Sequence, residues 1–122
     1  MAVRGIRGAT TCLPNPEAVL IATRELLQTI LKANPTLETQ EIASAWFTVT
    51  KDLQVIYPAR AARDLGWNQV PLMCALEVDV PNSMPHCVRI LIHWNTELPQ
   101  SEIRHVYLHD AVQLRPDLKY EN

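Results

Sequence analysis

A single amphipathic helix, enclosed between two Asn-Pro pairs, limits the architectures open to this chain. Asn15 is a favourable N-cap residue, and Pro16 has the fixed φ that suits the first helical position, so a helix begins here. Across residues 19–33 apolar side chains recur three and four positions apart and form one stripe. The second pair, Asn34-Pro35, ends the helix because proline cannot continue it. Such a helix must bury its stripe against another layer of structure.

The rest of the chain supplies that layer as strands, since its apolar segments are rich in β-branched and aromatic residues. Strands are predicted at 2–11, 43–50, 70–80 and 87–94, with a last extended stretch at 105–108 and 111–114. Gly5 and Gly8 indicate close packing or a bulge in the first strand. A brief helix is predicted within 57–67 and one helical turn within 98–103. The pattern predicts an α+β fold, with a mixed β-sheet of about five strands, one long helix and a short helix.

Length and charge exclude several classes of protein. With 122 residues the chain can build one core, so a single domain spanning 1–122 is expected. The net charge of −2 argues against a nucleic-acid binder that relies on general basicity. No apolar run reaches the roughly 20 residues that span a membrane, and the first residues lack the apolar stretch of a signal peptide. The expected partners therefore include neither nucleic acid nor a membrane.

The cysteines and histidines favour neither a disulfide framework nor a metal site. Cys12, Cys74 and Cys87 are widely spaced and form no CxxC pair. His105 and His109 are four positions apart in a segment predicted to be extended, which would separate them by about 13 Å along one face. No metal is therefore expected, and the chain is interpreted as a reduced, cytoplasmic domain.

Arginine is the unusual residue in this composition, since eight of the 11 basic residues are Arg. Arg is preferred where a planar fork must bind a carboxylate or phosphate, so the excess suggests anion recognition. Arg89 lies in the segment CVRILIHW, where both faces are largely apolar, and burial on both sides is predicted. A buried guanidinium needs a partner, which is either a carboxylate of the core or an anionic ligand.

Glu77 presents the same alternative within the segment PLMCALEVDV. Its carboxylate needs a donor or a cation, and a pair with Arg89 on the adjacent strand would provide one. Alternation places Cys74 on the face opposite to Glu77. Cys74 is either an inert core residue or part of a site. If Cys74 and Glu77 both serve sites, these sites belong to different copies of the chain and lie between subunits.

Six motifs occur in a fixed order along the chain: VRGIRGATT, YPARAAR, VPLMCALEVDV, CVRIL, RHVYL and LRPDL. Together they resemble the monofunctional chorismate mutases of the trimeric α+β type over about residues 2–118. The resemblance implies a homotrimer whose sheets form a pseudo-α/β-barrel, with active sites at the subunit interfaces. It also implies the cofactor-free pericyclic conversion of chorismate to prephenate, the first committed step toward phenylalanine and tyrosine.

The resemblance also implies roles for particular side chains. Arg89 is expected to stabilise the negative charge that develops on the ether oxygen of the substrate. Arg7 and Tyr107 are expected to hold a carboxylate, and Glu77 to accept the ring hydroxyl. Glu77 and Arg89 should then both face the ligand rather than merely neutralise each other. The implied substrate-binding residues are Cys74, Met73, Tyr57, Ala59, Arg60, Arg63 and Arg115, the last in a tail, residues 115–122, that is expected to be mobile.

Three of these positions depart from the common family pattern, and two other functions stay open at this stage. Tyr57 stands where Phe is frequent, Arg60 where Lys is frequent, and Met73 where a small polar residue can occur. Imine-hydrolysing deaminases share the trimeric architecture. A non-catalytic binding module of the aromatic pathway would use the same contacts with the ligand.

Overall fold

The computed structural model describes residues 1–114 of the chain as one five-stranded mixed sheet with both helices on one face. The strands are β1 (Ala2–Thr11), β2 (Ile42–Val49), β3 (Leu72–Leu76), β4 (Cys87–Thr96) and β5 (Val106–Tyr107). The helices are α1 (Pro16–Ala33) and α2 (Ala59–Asp64), and short 3-10 turns cover Thr39–Glu41, Lys51–Leu53, Gln100–Glu102 and His109–Gln113. The spatial order is β3-β2-β4-β1-β5, with antiparallel pairs at the centre and a parallel pair at each edge. The predicted α+β class is confirmed.

The long helix begins and ends where its flanking residues predict. The Asn15 Oδ1 atom accepts a hydrogen bond of 2.8 Å from the backbone N–H of Ala18, which caps the first turn. At the other end the buried Asn34 side chain donates to the carbonyls of Ile30 and Arg104, both at 3.0 Å. Its Oδ1 atom also accepts from the backbone N–H of Arg104 at 3.0 Å. Asn34 therefore ends α1 and attaches it to the segment that leads into β5.

Gly8 is needed where β1 passes beneath α1. A Cβ atom at this position would lie 3.0 Å from Ile30 Cδ1 and 3.2 Å from both Ile90 Cγ2 and the carbonyl oxygen of Val106. The β1–β4 register continues without interruption from Ala2 to Thr11, so the strand has no bulge against β4. The sequence was compatible with either a bulge or close packing at the glycines, and the structure shows close packing at Gly8.

The strand β3 is shorter than the predicted segment 70–80, and it ends at Leu76. The partner of β3 is β2, which ends at Val49, the residue paired with Leu76. The Glu77 N–H makes one more bond, to the carbonyl of Val49 at 2.9 Å. Residues 78–80 have no continuing strand beside them, so the length of β3 is set by its neighbour.

The prediction of an extended stretch at 111–114 is wrong, because this part of the chain forms a 3-10 turn, His109–Gln113. The turn begins with His109 at φ 54°, after the Leu108 N–H has bonded to the carbonyl of Ala9. Ala111 lies in the turn and packs against Ala9 and Tyr107, so its apolar side chain is buried although no strand forms here.

The two histidines of this region do not share a strand face. His105 Nδ1 accepts from the Arg7 backbone N–H at 3.0 Å, and His109 Nε2 lies 2.9 Å from Glu25 Oε1. No group of three or more His, Cys, Asp or Glu side chains is arranged for a metal within residues 1–114. No helix in this range is long and apolar enough to cross a membrane.

The face of the sheet opposite the helices is open in the single chain. On β4, Val88, Ile90 and Ile92 are buried under the helices, whereas Leu91 is 37% exposed on the other side. The predicted burial of this strand on both sides is therefore wrong for one chain, since the helices cover only one face. Large apolar residues are exposed on the open face, at Val3, Trp46, Met73 and Leu91.

Candidate active site

A cleft of about 440 Å³ on the open face of the sheet contains the four residues predicted to be catalytic. Arg7 lies on β1, Arg89 on β4 and Tyr107 on β5, and Glu77 directly follows β3. The residues that line the cleft are Arg7, Gly8, Trp46, Thr48, Glu77, Arg89, Ile90, Leu91, His93 and Tyr107.

The sheet topology explains why residues so distant in sequence meet in this cleft. Ala9 of β1 is paired with Arg89 on one side and with Tyr107 on the other. Arg7 lies two positions before Ala9 on the same strand, so its side chain points to the same face. The bond from the Arg7 N–H to His105 Nδ1 further fixes this part of β1 against the segment preceding β5.

Glu77 and Arg89 are in contact with each other, and both also line the cleft, so the pair between them does not turn either residue away from it. The Nε atom of Arg89 lies 3.4 Å from Oε1 of Glu77, and both side chains are about one-third exposed or less. The Thr48 hydroxyl donates to the same Oε1 atom at 2.7 Å. Within the described residues, the buried Nε of Arg89 has no hydrogen-bond partner. The contact is thus an ion pair without a hydrogen bond at Nε, and both groups still line the cleft.

A buried thiol lies next to Arg89 but does not neutralise it. Burial raises the pKa of the Cys87 thiol, while the charge of Arg89 acts in the opposite direction and is the smaller effect. Burial also raises the pKa of Cys12. Both thiols are therefore protonated at neutral pH, and neither places a negative charge beside the guanidinium.

A second cleft, of about 430 Å³, contains two of the predicted substrate-binding residues. Tyr57 and Cys74 line it, together with residues between β2 and α2 and along β3. Cys74 and Glu77 therefore line different clefts, as their alternation along the chain predicts. One chain does not bring its two sets of candidate residues into a single pocket.

The other predicted substrate-binding residues lie outside both linings. Ala59 is buried at the start of α2, while Arg60 and Arg63 are exposed on the same helix. Met73 is 56% exposed and is paired with Trp46, on the open face of the sheet. Arg115 and the predicted tail lie outside the described residues.

Sequence reasoning missed six residues of the first cleft, and four of them lie on the open face of the sheet. Trp46, Thr48, Leu91 and His93 all line it. Thr48 is the direct neighbour of Arg89 across the β2–β4 pair, and His93 Nδ1 lies 3.0 Å from the Ser44 hydroxyl oxygen. Alternation along β4 places Leu91 and His93 on the same face as Arg89. Alternation along β2 places Trp46 and Thr48 on one face, but only the register between β2 and β4 shows that this is the face of Arg89.

Two arginines, a carboxylate and a tyrosine lie together in one cleft, and arginine is the side chain best suited to bind an anionic ligand. The family model for chorismate mutase type I matches residues 3–118. Chorismate mutase AroH of Thermus thermophilus is 53% identical over 118 residues, covering 96% of this chain and 97% of that protein. The AroH protein of Bacillus subtilis is 42% identical over 120 residues, covering 97% and 94% of the two chains.

A solved structure gives the same result for the fold. The chorismate mutase from Clostridium thermocellum superposes with a TM-score of 0.85 at 44% identity, over 88% of this chain and 96% of that one. The chain belongs to the type I chorismate mutase family, and it is an isomerase of aromatic amino-acid biosynthesis. This assignment favours the mutase over the deaminase and the non-catalytic binding module.

Proposed function

We propose that this chain converts chorismate to prephenate in the cleft that contains Arg7, Glu77, Arg89 and Tyr107. The observation that carries the proposal is the buried Nε of Arg89, a residue that lines the cleft, because this nitrogen has no hydrogen-bond partner within residues 1–114. An unpartnered guanidinium nitrogen is costly unless a ligand supplies the acceptor.

The reaction makes a specific demand on this nitrogen. In the rearrangement the C–O bond breaks ahead of C–C bond formation, so negative charge develops on the ether oxygen. A cation that is already in place stabilises this charge more in the transition state than in the ground state, which raises the rate. Arg89 supplies that cation in our proposal. The rearrangement is unimolecular, so the proposal includes no cofactor and no covalent intermediate.

The remaining residues orient the substrate. Chorismate is a dicarboxylate with a flexible enolpyruvyl arm, and the reaction requires a chair-like conformation in which the reacting carbons are close. Arg7 and Tyr107 bind a carboxylate, and Glu77 accepts the ring hydroxyl. The Glu77 Oε1 atom is already bound to Thr48, which leaves Oε2 to face the substrate.

We further propose that three copies of the chain assemble and complete each other's sites. Two features support this: the exposed apolar residues on the open sheet face, and the separation of the candidate residues into two clefts. In a homotrimer the open faces pack into a barrel-like core, and the cleft of one subunit faces residues of its neighbour. The facing wall would consist of Tyr57, Arg60, Arg63, Met73 and Cys74, which are not fully buried in the single chain.

A cytoplasmic location completes the proposal. The three cysteines, at 12, 74 and 87, are free thiols, and thiols persist where the environment is reducing.

The direct test is turnover by the purified chain without added cofactor. Chorismate loss is followed by ultraviolet absorbance, and the product is identified as prephenate by NMR. We expect complete conversion, and we expect Arg7→Ala to raise KM because a carboxylate contact is lost. Tight binding of chorismate without conversion would contradict the proposal.

A further inference from the structure

We propose that Thr48 is a positioning residue, whose hydroxyl holds the Glu77 carboxylate so that it does not take up the Nε hydrogen of Arg89. The inference rests on the function proposed above for Glu77 and Arg89. Thr48 itself is not required to touch the substrate in this account.

The three side chains form a short chain of contacts across neighbouring strands. Thr48 on β2 is paired with Arg89 on β4 and with Ala75 on β3, and it lines the cleft. Its hydroxyl donates to Oε1 of Glu77 at 2.7 Å, and the Nε atom of Arg89 is 3.4 Å from the same oxygen. Thr48 and Arg89 therefore both approach one carboxylate oxygen, but only Thr48 is close enough for a hydrogen bond.

The two contacts are of different kinds. The hydroxyl contact lies within the range for a strong hydrogen bond to a carboxylate. A hydrogen bond between a guanidinium and a carboxylate is ordinarily about 2.7–2.9 Å long, clearly shorter than the Nε contact here. Consistent with this, Arg89 Nε has no hydrogen-bond partner among residues 1–114 although a carboxylate lies next to it. Thr48 makes the hydrogen bond, and Arg89 does not.

Glu77 is fixed at its main chain as well as at its side chain. Its N–H donates to the carbonyl of Val49 at 2.9 Å, and its carboxylate is bound by the residue before Val49. Consecutive residues of β2 thus hold both ends of Glu77. The carboxylate has little freedom to turn toward the guanidinium while both bonds are present.

Without the hydroxyl, the carboxylate is free to form a closer, hydrogen-bonded pair with Arg89. Such a pair would occupy the Nε hydrogen that the ether oxygen requires, and would offset the positive charge in the transition state. Thr48 therefore contributes to the rate by keeping Arg89 available. Its effect belongs mainly to kcat, because the demand on Arg89 is greatest in the transition state.

The test compares Thr48→Val with Thr48→Ser. Valine has the same shape and suits a strand but lacks the hydroxyl, whereas serine keeps it. We expect Thr48→Val to lower kcat by about 10- to 100-fold, with a much smaller change in KM. Thr48→Ser should keep kcat within about threefold of the parent, because the bond to Glu77 is restored. Thr48→Ala is the second hydroxyl-free variant, and circular dichroism verifies that each variant is folded.

A double-mutant cycle separates positioning from a general structural role. In a Glu77→Ala background, Thr48→Val should produce no further loss of kcat, because the carboxylate that the Thr48 hydroxyl binds is absent. An equal loss in both backgrounds would overturn the inference, and so would a failure of serine to restore kcat.

The same series distinguishes this inference from the proposed function. If Thr48→Val and Thr48→Ala keep the parental kcat while Glu77→Ala and Arg89→Lys lose activity, only the role of Thr48 is wrong. If Glu77→Ala and Arg89→Lys also keep the parental activity, the proposed site itself is wrong.

Discussion

At the residue scale, the arginines of this chain differ in what their guanidinium groups contact. Arg4 Nε donates to the carbonyl of Leu98 at 3.0 Å, and Arg24 lies 3.8 Å from an Asp64 carboxylate oxygen on the surface. Arg89 Nε, in contrast, is buried in the cleft without a hydrogen bond to residues 1–114. Some of the arginines therefore have structural roles, and within residues 1–114 Arg89 is the arginine with a buried nitrogen that lacks a hydrogen-bond partner.

Gly8 provides a prediction about stability at the same scale. We expect Gly8→Ala to destabilise the fold by about 1–3 kcal/mol, because the added Cβ would press on Ile30 and on the Val106 carbonyl. Gly5→Ala is the matched control on the same strand, since its Cβ would meet only Leu91 Cδ1 at 3.7 Å, an ordinary contact. Urea unfolding measures both free energies. Equal stability of the two variants would contradict the close packing at Gly8.

The Cys87 thiol gives a dependence of stability on pH. Burial raises its pKa above the ordinary value of 9.0, so the unfolded chain loses this proton first as the pH rises. The unfolded state then binds fewer protons, and the free energy of unfolding should fall as the pH rises above about 9. In Cys87→Ala the decrease over the same pH range should be smaller. An identical decrease in the two proteins, measured by urea unfolding, would argue against this role of Cys87.

At the element scale, α1 is connected to the last strand by one side chain. Asn34 donates to the Arg104 carbonyl and accepts from the Arg104 N–H, and it also bonds to Ile30. Because Asn34 is buried, its loss leaves main-chain groups of the 104 region without their partner. The position of β5, and with it Tyr107, depends on this connection.

We expect Asn34→Ala to lower the free energy of unfolding by about 1–3 kcal/mol. The matched control is Asn15→Ala at the exposed start of the same helix, where loss of the cap costs about 1 kcal/mol. Hydrogen exchange should then show faster exchange of the β5 amides in Asn34→Ala and not in Asn15→Ala. Unchanged exchange in β5 would contradict the connecting role of Asn34.

Local signals predict some elements well and others not at all. The ends of α1 depend on Asn15 and Asn34, whose effects act within a few residues, so the sequence predicts them. The end of β3 depends on where β2 stops, and the turn His109–Gln113 depends on a buried place for Ala111. The end of β3 and the turn thus depend on contacts between segments distant in sequence, and the local sequence pattern does not predict such contacts.

The same distinction applies to the candidate site. The roles proposed for Arg7, Glu77, Arg89 and Tyr107 rest on the family resemblance, and the structure brings these four residues into the lining of one cleft. The contact of Glu77 with Arg89, and the bond from Thr48, depend on the register of β2 against β4 and β3. That register joins residues more than 25 positions apart, which explains why Thr48 was missed.

At the scale of the whole molecule, the candidate residues of one chain are divided between two clefts. Arg89 and Glu77 line one cleft, and Cys74 and Tyr57 line the other. Assembly through the open sheet face would cover Trp46 and Leu91 and place the two sets of residues opposite each other. The proposed trimer therefore predicts shared sites, in which each subunit contributes half of the contacts.

Mixing two inactive variants tests this sharing. We expect Arg89→Lys and Arg63→Ala to be impaired separately, because they alter opposite walls of the proposed site. In trimers reassembled from equal amounts of both, about one site in four combines two unaltered walls, so about one quarter of the parental activity should return. Light scattering should give three times the mass of the chain. No recovery in mixed trimers would contradict sites that are shared between subunits.

The central claim is that Arg89 stabilises the charge that develops on the ether oxygen. The most direct measurement is kcat for the conversion of chorismate to prephenate by Arg89→Lys, compared with the parent protein. Lysine keeps the positive charge but lacks the planar fork and its reach. The account predicts a loss of about 100-fold or more in a variant that is still folded. A kcat within about threefold of the parent, less than 1 kcal/mol in the barrier, would contradict the claim.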